Sequence, residues 1–246
     1  MANEIRRHVF VTGAGGGIGA AVAARFAHTG DSVTLCDLSP ERALAVAKSL
    51  GDGKGNILHV SGDISRREDM SRMREEAESA SGPVDILVNN AGIFPDGLVV
   101  NVTDSEWDSI MGVNLKGTFL ATQTFVRGMI DRKKGWIVNL ASVDGKTPGP
   151  GNSVYSASKA AVISFTQSMA REAAPYGVFV NAVAPGWVAT PNVTKGERWK
   201  EAVKKIPLGR LAEPSEIADV IAFLCSKEAR YIVGETINVN GGLFMD

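Results

Sequence analysis

The sequence predicts an α/β fold in which a parallel sheet is covered by helices on both faces. Two observations predict it. Short apolar runs rich in β-branched residues alternate with longer segments of helical period along the chain, the signature of strands joined through crossover helices. A glycine-rich turn, Thr12-Gly13-Ala14-Gly15-Gly16-Gly17-Ile18-Gly19, joins the first apolar run to the first helical segment. The 246 residues are 44% hydrophobic and contain no stretch of linker composition, so residues 1–246 read as a single domain with one core.

The first strand covers residues 8–12, and the helix after the glycine turn covers 18–28, stopping at Gly30 as a helix C-terminus does. A second strand at 33–37 ends on Asp37. Ser39 and Pro40 supply an N-cap and a first-turn proline for a helix over 40–50. A third strand at 56–60 precedes a charged, surface-facing helix over 66–80. The fourth, at 84–89, runs into Asn89-Asn90-Ala91-Gly92. Long helices are expected over 104–132 and 154–174, separated by a buried strand from Gly135 that ends at Ser142. Strands at 178–184 and 235–239 bring the count to seven. Only the segment 186–210 breaks the rhythm. It is too long and too charged for a tight strand-to-helix loop, and suits a substrate lid at about 187–210.

Composition excludes several functions. The net charge is −1 with no long run of either sign, and the triplet Arg132-Lys133-Lys134 reads as a solvated helix end. Such a chain has no electrostatic footprint for DNA, RNA or an anionic membrane. Residues 1–7 lack an apolar signal region and no apolar run approaches the ~20 residues that span a bilayer, so a cytoplasmic location is expected. The two cysteines, Cys36 and Cys225, lie in apolar contexts without CxxC spacing and read as buried thiols. His8, His28 and His59 have no partners at ligand spacing, and no metal is expected.

The chemistry points to Tyr155-Ser156-Ala157-Ser158-Lys159. Positions i and i+4 of a helix share a face, so a phenol and an ammonium can address one ligand. A neighbouring cation favours the ionised phenol, which otherwise titrates near ~10. Ser142, at the end of the fifth strand, offers a hydroxyl for the same substrate oxygen. Upstream, the glycine turn places backbone N–H groups and a helix N-terminus where a pyrophosphate binds. Asp37 suits the hydroxyls of an adenosine ribose and repels a 2′-phosphate. With no cation in the turn, NAD is favoured over NADP, and Arg42 is the residue that keeps NADP open. Asp63, with Ile64 beside it, fits either an adenine contact or a cap for the helix over 66–80.

These motifs together resemble the short-chain dehydrogenases/reductases: the turn from Thr12 to Gly19, Asn89-Asn90-Ala91-Gly92, Asn114, Ser142, Tyr155 with Lys159, Pro185-Gly186 and the Asn238-to-Gly242 close. The resemblance implies a three-layer doubly wound Rossmann fold with a seven-stranded parallel sheet, and hydride transfer between nicotinamide and a secondary alcohol or ketone. Tyr155 is then the acid/base. Lys159 holds the nicotinamide ribose and lowers the Tyr155 pKa, Ser142 orients the substrate oxygen, and Asn114 supports a water chain. Gly13, Gly17, Ile18 and Gly19 meet the cofactor, Asn90, Ala91 and Gly92 border its adenosine ribose, and Pro185, Val188 and Thr190 belong to its nicotinamide end. A homotetramer is also implied. Asp144 and Asn152, beside the apolar residues of the pocket, suit a small hydroxylated ketone as well as a simple alcohol. The pattern is similar, too, to the 3-oxoacyl-[acyl-carrier-protein] reductases, from which Asp37 and Tyr176 depart. A nucleotide-binding regulatory protein without turnover is the remaining alternative, disfavoured by the intact set Asn114, Ser142, Tyr155 and Lys159.

Overall fold

The computed structural model describes residues 6–51 and 55–246. Among them, β1 (His8–Thr12), β2 (Ser32–Asp37), β3 (Ile57–Ser61), β4 (Ile86–Asn89), β5 (Gly135–Leu140), β6 (Val178–Pro185) and β7 (Thr236–Val239) form one sheet. Every pairing is parallel and the order is β3-β2-β1-β4-β5-β6-β7. The order reverses between β1 and β4. In a doubly wound sheet, helices leave that point toward opposite faces and open a crevice beyond the carboxyl ends of the strands.

Strand periodicity builds the two faces. Val9 and Val11 of β1, with Leu35, Val88 and Val138, pack under α1 (Gly17–His28) and α9 (Pro214–Leu224), against Phe26, Ile217 and Ile221. Phe10 points the other way, with Leu87, Ile137 and Val180, and meets α3 (Arg67–Ser81) and α5 (Thr118–Arg132) through Met70, Met73 and Phe125. The Phe10 and Phe125 rings lie 4.8 Å apart. Burial of each such side chain contributes roughly 1.5–3 kcal/mol. The remaining helices are α2 (Pro40–Leu50), α4 (Asp104–Met111), α6 (Ser153–Ala173), α7 (Pro191–Thr194) and α8 (Arg198–Val203). Ser39 caps α2 through a bond from Arg42 N, as its sequence suggests.

Residues 104–132 are helical throughout, as expected, but not α-helical throughout. Between α4 and α5 lies a π-helical stretch, Gly112–Gly117. Its cause is tertiary. Asn114 reaches out of the turn to accept from Ile93 N at 2.8 Å and donate to Ile93 O at 3.0 Å. Gly117 lets Ile64 pack so closely that an added Cβ would lie 2.5 Å from its Cδ1. A widened turn of this kind is frequent where a helix serves a site. The segment read as a lid carries α7 and α8, both short.

The cysteines are buried and unpaired, with burial pushing the Cys225 thiol up to about 12. His8 is a satisfied core residue. Its Nδ1 donates to Gly82 O at 2.7 Å and its Nε2 accepts from the Thr34 hydroxyl at 2.9 Å. No helix among the described residues is long and apolar enough to cross a membrane, and no group of three or more His, Cys, Asp or Glu there could hold a metal ion.

Candidate active site

The crevice at the reversal point is built first by Thr12, at the end of β1. Its hydroxyl accepts from Asn90 N at 3.0 Å and from Ala91 N at 3.1 Å. The Asn90 amide donates back to Thr12 O and Gly13 O, both at 3.0 Å. The glycine turn and the loop after β4 are thereby locked together. An added Cβ on Gly19 would lie 2.3 Å from Gly13 O, so only glycine permits this closeness. Gly17, at φ 53°, starts α1 facing Thr190, whose Cγ2 would be 3.1 Å from an added Cβ. The turn and the segment after β6 therefore form opposite walls. Ile18 packs into the core from its wall, and Val188, 4% exposed, is pinned to Ala212 beyond Pro185 on the other.

The N-terminus of α1 has neither a side-chain cap nor an acidic residue in its first turn. Its outward N–H groups and the positive end of the helix dipole are available to a phosphate. By contrast, α4 opens with a closed capping box of Thr103 and Glu106. Asp37, 5% exposed, accepts from Gly15 N at 2.9 Å, Ser39 N at 3.0 Å and Arg42 Nη2 at 2.7 Å. This places a carboxylate against the turn, with a mostly exposed guanidinium over it. Asp63 accepts from Ser65 N at 2.8 Å and Ser65 Oγ at 2.7 Å, shaping the turn ahead of α3, while Ile64 is buried in the core. These contacts make Asp63 a turn residue, and it does not cap α3, whose N-cap position is Arg66 and which has no side-chain cap.

The third wall is α6. Tyr155 is partly buried and hydrogen-bonded to Ser142, and Phe94 meets its ring edge-on with centroids 6.3 Å apart. Lys159, 5% exposed, donates to Leu140 O at 2.6 Å and has its Nζ 5.9 Å from the Tyr155 ring centroid. Asn114 joins them through Ser158, donating to Ser158 Oγ at 3.0 Å, while Ser158 Oγ donates to Tyr155 O at 2.6 Å. Gly92 lies beside both, as an added Cβ would be 3.3 Å from Asn114 Oδ1 and 3.5 Å from Lys159 Nζ. Ser142, Tyr155, Lys159 and Asn114 thus converge from β5, α6 and the π-helical stretch.

The electrostatics differ from expectation in one respect. Burial pushes the Tyr155 phenol up to about 12, with Asp144 adding to the rise and the Ser142 hydrogen bond opposing it. The anticipated lowering by Lys159 is not among the causes of the shift, and burial lowers Lys159 itself to about 8. A phenol held there is a loaded acid at neutral pH. Two hydroxyls meeting at one point can hold and protonate an oxygen that gains negative charge.

Beside Tyr155 is a cavity of about 200 Å³ bordered by Pro95, Asp96, Val102, Ile110 and Asn152. An ion pair from Arg198 on α8 to Asp96 ties the lid segment to the loop after β4. Sequence reading missed this pair and the supporting roles of Thr12 and Ser158. Thr12 heads the glycine turn and Ser158 sits between Tyr155 and Lys159, so both lay inside quoted motifs. Nothing local links Asp96 to Arg198.

The short chain dehydrogenase family matches residues 7–201. The chain belongs to the short-chain dehydrogenases/reductases. It is therefore an oxidoreductase of the CH–OH/keto type that uses a nicotinamide cofactor. It is 44% identical over 237 residues to the 3-oxoacyl-[acyl-carrier-protein] reductase of Aquifex aeolicus (strain VF5), covering 95% of this chain and 96% of that one. It is 39% identical over 259 residues to the (3R)-3-hydroxyacyl-CoA dehydrogenase of Mus musculus, covering both completely. The crystal structure of 3-oxoacyl-[acyl-carrier protein] reductase from Brucella melitensis ATCC 23457 matches with a TM-score of 0.92 at 38% identity, over 98% of this chain and 92% of that one. The doubly wound Rossmann fold follows from the same likeness. In this dehydrogenase/reductase the cradle fits a dinucleotide, since the bare α1 N-terminus supplies donors for a pyrophosphate and Asp37 an acceptor beside them.

Proposed function

We propose that the enzyme interconverts 3-oxoacyl and 3-hydroxyacyl thioesters using NAD(H). The observation that carries the substrate is the 44% identity, over 95% of the chain, to a protein named for 3-oxoacyl groups on a carrier. The alternative weighed from the sequence thus moves ahead of an unspecified secondary alcohol. Within this reading Tyr155 is the acid, Ser142 orients the carbonyl oxygen, Lys159 holds the nicotinamide ribose, and Asn114 supports the proton supply through Ser158. Gly13, Gly17, Ile18 and Gly19 hold the pyrophosphate. Asn90, Ala91 and Gly92 border the adenosine ribose, and Pro185, Val188 and Thr190 the nicotinamide. The cofactor, when bound, supplies the hydride. A phenol near 12 supports the keto-reducing direction, since the acid form is present throughout the neutral range.

The choice of NAD(H) rests on Asp37. A 2′-phosphate on the ribose would meet a buried carboxylate, and like charges in contact cost several kcal/mol. NADPH is the second reading, supported by the exposed side of Arg42, which could leave Asp37 for a phosphate. Rates of absorbance loss at 340 nm on acetoacetyl-CoA decide between them. The expected result is a kcat/KM at least ~10-fold higher with NADH than with NADPH, a preference that shrinks or inverts in Asp37→Ala. Higher efficiency with NADPH overturns the cofactor reading; no turnover of any 3-oxoacyl thioester overturns the substrate reading.

The same reading extends to a cytoplasmic homotetramer with a lid at about 187–210. Trp107 and Phe119 stand exposed on α4 and α5, and Phe119 packs edge-on against Phe165 of α6 at 6.3 Å, so this helical surface is partly apolar. Light scattering at micromolar concentration is expected to give four times the 26.0 kDa chain mass.

A further inference from the structure

We propose that Asp144 sets substrate specificity by accepting a hydrogen bond from an N–H or O–H group that the substrate carries a few bonds from its reacting carbonyl. The inference deepens the proposed function and rests on Ser142 and Tyr155 receiving that carbonyl.

Asp144 follows Ser142 by two residues, and its backbone N–H donates to Ser142 Oγ at 3.1 Å. The loop is therefore fixed to the hydroxyl that faces the substrate. The carboxyl is partly buried and close enough to Tyr155 for its charge to act on the phenol. The side-chain amide of Asn152, at the start of α6, lies close to it. Among the described residues it has no ion-pair partner. Arg198 is the cation whose charge reaches it, and that guanidinium is paired with Asp96, at the border of the cavity. Asp144 thus lies within reach of Tyr155, Asn152 and Asp96, all three of which border the cavity, with acceptor capacity that the protein leaves unused.

The energetic consequence follows from the desolvation of a charge. A substrate that closes the cleft strips water from the carboxylate, and a purely hydrocarbon neighbour gives nothing back. A substrate N–H or O–H restores the bond. Sites of this kind reject the analogue that lacks the donor more strongly than they reject a change in size. Two sources supply the chemistry: the amide N–H of a carrier thioester arm, or a hydroxyl on the carbon chain.

Three substrates separate them: S-acetoacetyl-N-acetylcysteamine, with an amide N–H; ethyl 4-hydroxyacetoacetate, with a hydroxyl; and ethyl acetoacetate, with neither. In the wild type the kcat/KM of at least one donor-bearing substrate is expected to exceed that of ethyl acetoacetate by about 10- to 100-fold, as a hydrogen bond to a charged group gives. The ratio for that substrate is expected to approach unity in Asp144→Val. In Asp144→Asn, which keeps a weaker neutral acceptor, it is expected to lose part of its value. The substrate whose ratio collapses identifies the donor. If the Val variant fails to fold, by its thermal melt, the Asn ratio decides alone. Ratios equal to those of the wild type overturn the proposal while leaving the 3-oxoacyl reading standing. No turnover of any of the three by wild-type protein overturns both.

Discussion

Tyr155→Phe is expected to lose about 10²–10⁴ of kcat, the range assigned to a positioned acid or base, while nicotinamide dinucleotide binds within about twofold of wild type. The substitution removes one oxygen and leaves the ring. Phe94 keeps its edge contact at 6.3 Å and Lys159 keeps its place 5.9 Å from the ring centroid. The bond that Lys159 donates to Leu140 O and the Asn114–Ser158 link to the Tyr155 backbone do not involve the phenol. What disappears is the proton and its bond to Ser142. Fluorescence titration with NADH and single-turnover reduction of acetoacetyl-CoA separate binding from chemistry. Loss of cofactor affinity in step with kcat would assign the phenol a structural part, and near-normal turnover would remove it from the reaction. The pH profile adds a second check. With the phenol near 12, wild-type reduction has no alkaline limb from Tyr155 between pH 6 and 10, whereas oxidation, which needs the phenolate, rises with pH across that range. The rise is expected to vanish in the Phe variant.

The features that the sequence made legible are those whose partners lie close along the chain. The glycine turn stands between a strand and a helix, and Tyr155 and Lys159 stand one helical turn apart, so local periodicity is enough to place them. Alternation of Val9, Phe10 and Val11 between the two cores is equally local. The π-helical stretch is different. It depends on Asn114 bonding Ile93, 21 residues away, and no helical propensity in the segment signals that. The pairing of Asp96 with Arg198 joins two loops through the fold. The sign of the Tyr155 shift escapes the sequence for a related reason. Spacing reveals a neighbouring cation but not how much water the packed site excludes, and burial acts on both groups at once.

That burial predicts a trade between function and stability at Lys159. The residue is 5% exposed, and the lowering of its pKa from 10.5 to about 8 is due to burial. Below pH 8 both folded and unfolded chains carry the proton, and the fold bears the full cost of an enclosed ammonium. Between pH 8 and 10.5 the folded chain has released the proton and the unfolded chain has not. Stability therefore rises with pH through this window. At 1.36 kcal/mol per unit, the relief amounts to about 3 kcal/mol. Lys159→Met keeps the length of the side chain and removes the charge. It also leaves Leu140 O without its donor, a loss of roughly 1–3 kcal/mol that does not vary with pH. The stability difference, variant minus wild type, is thus expected to fall by 2–3 kcal/mol, on the order of the linkage relief, between pH 7 and 10. Titration of Tyr155 is common to both chains and cancels to first order. Urea melts at pH 7, 8.5 and 10 measure the difference, and a gap that stays constant would place the ammonium in contact with water. The same variant is expected to bind NADH at least ~10-fold more weakly, as loss of a charged hydrogen bond implies. A lysine at such a position lowers the stability of the fold at neutral pH, a cost that the role proposed for it, holding the coenzyme ribose beside Tyr155, would offset.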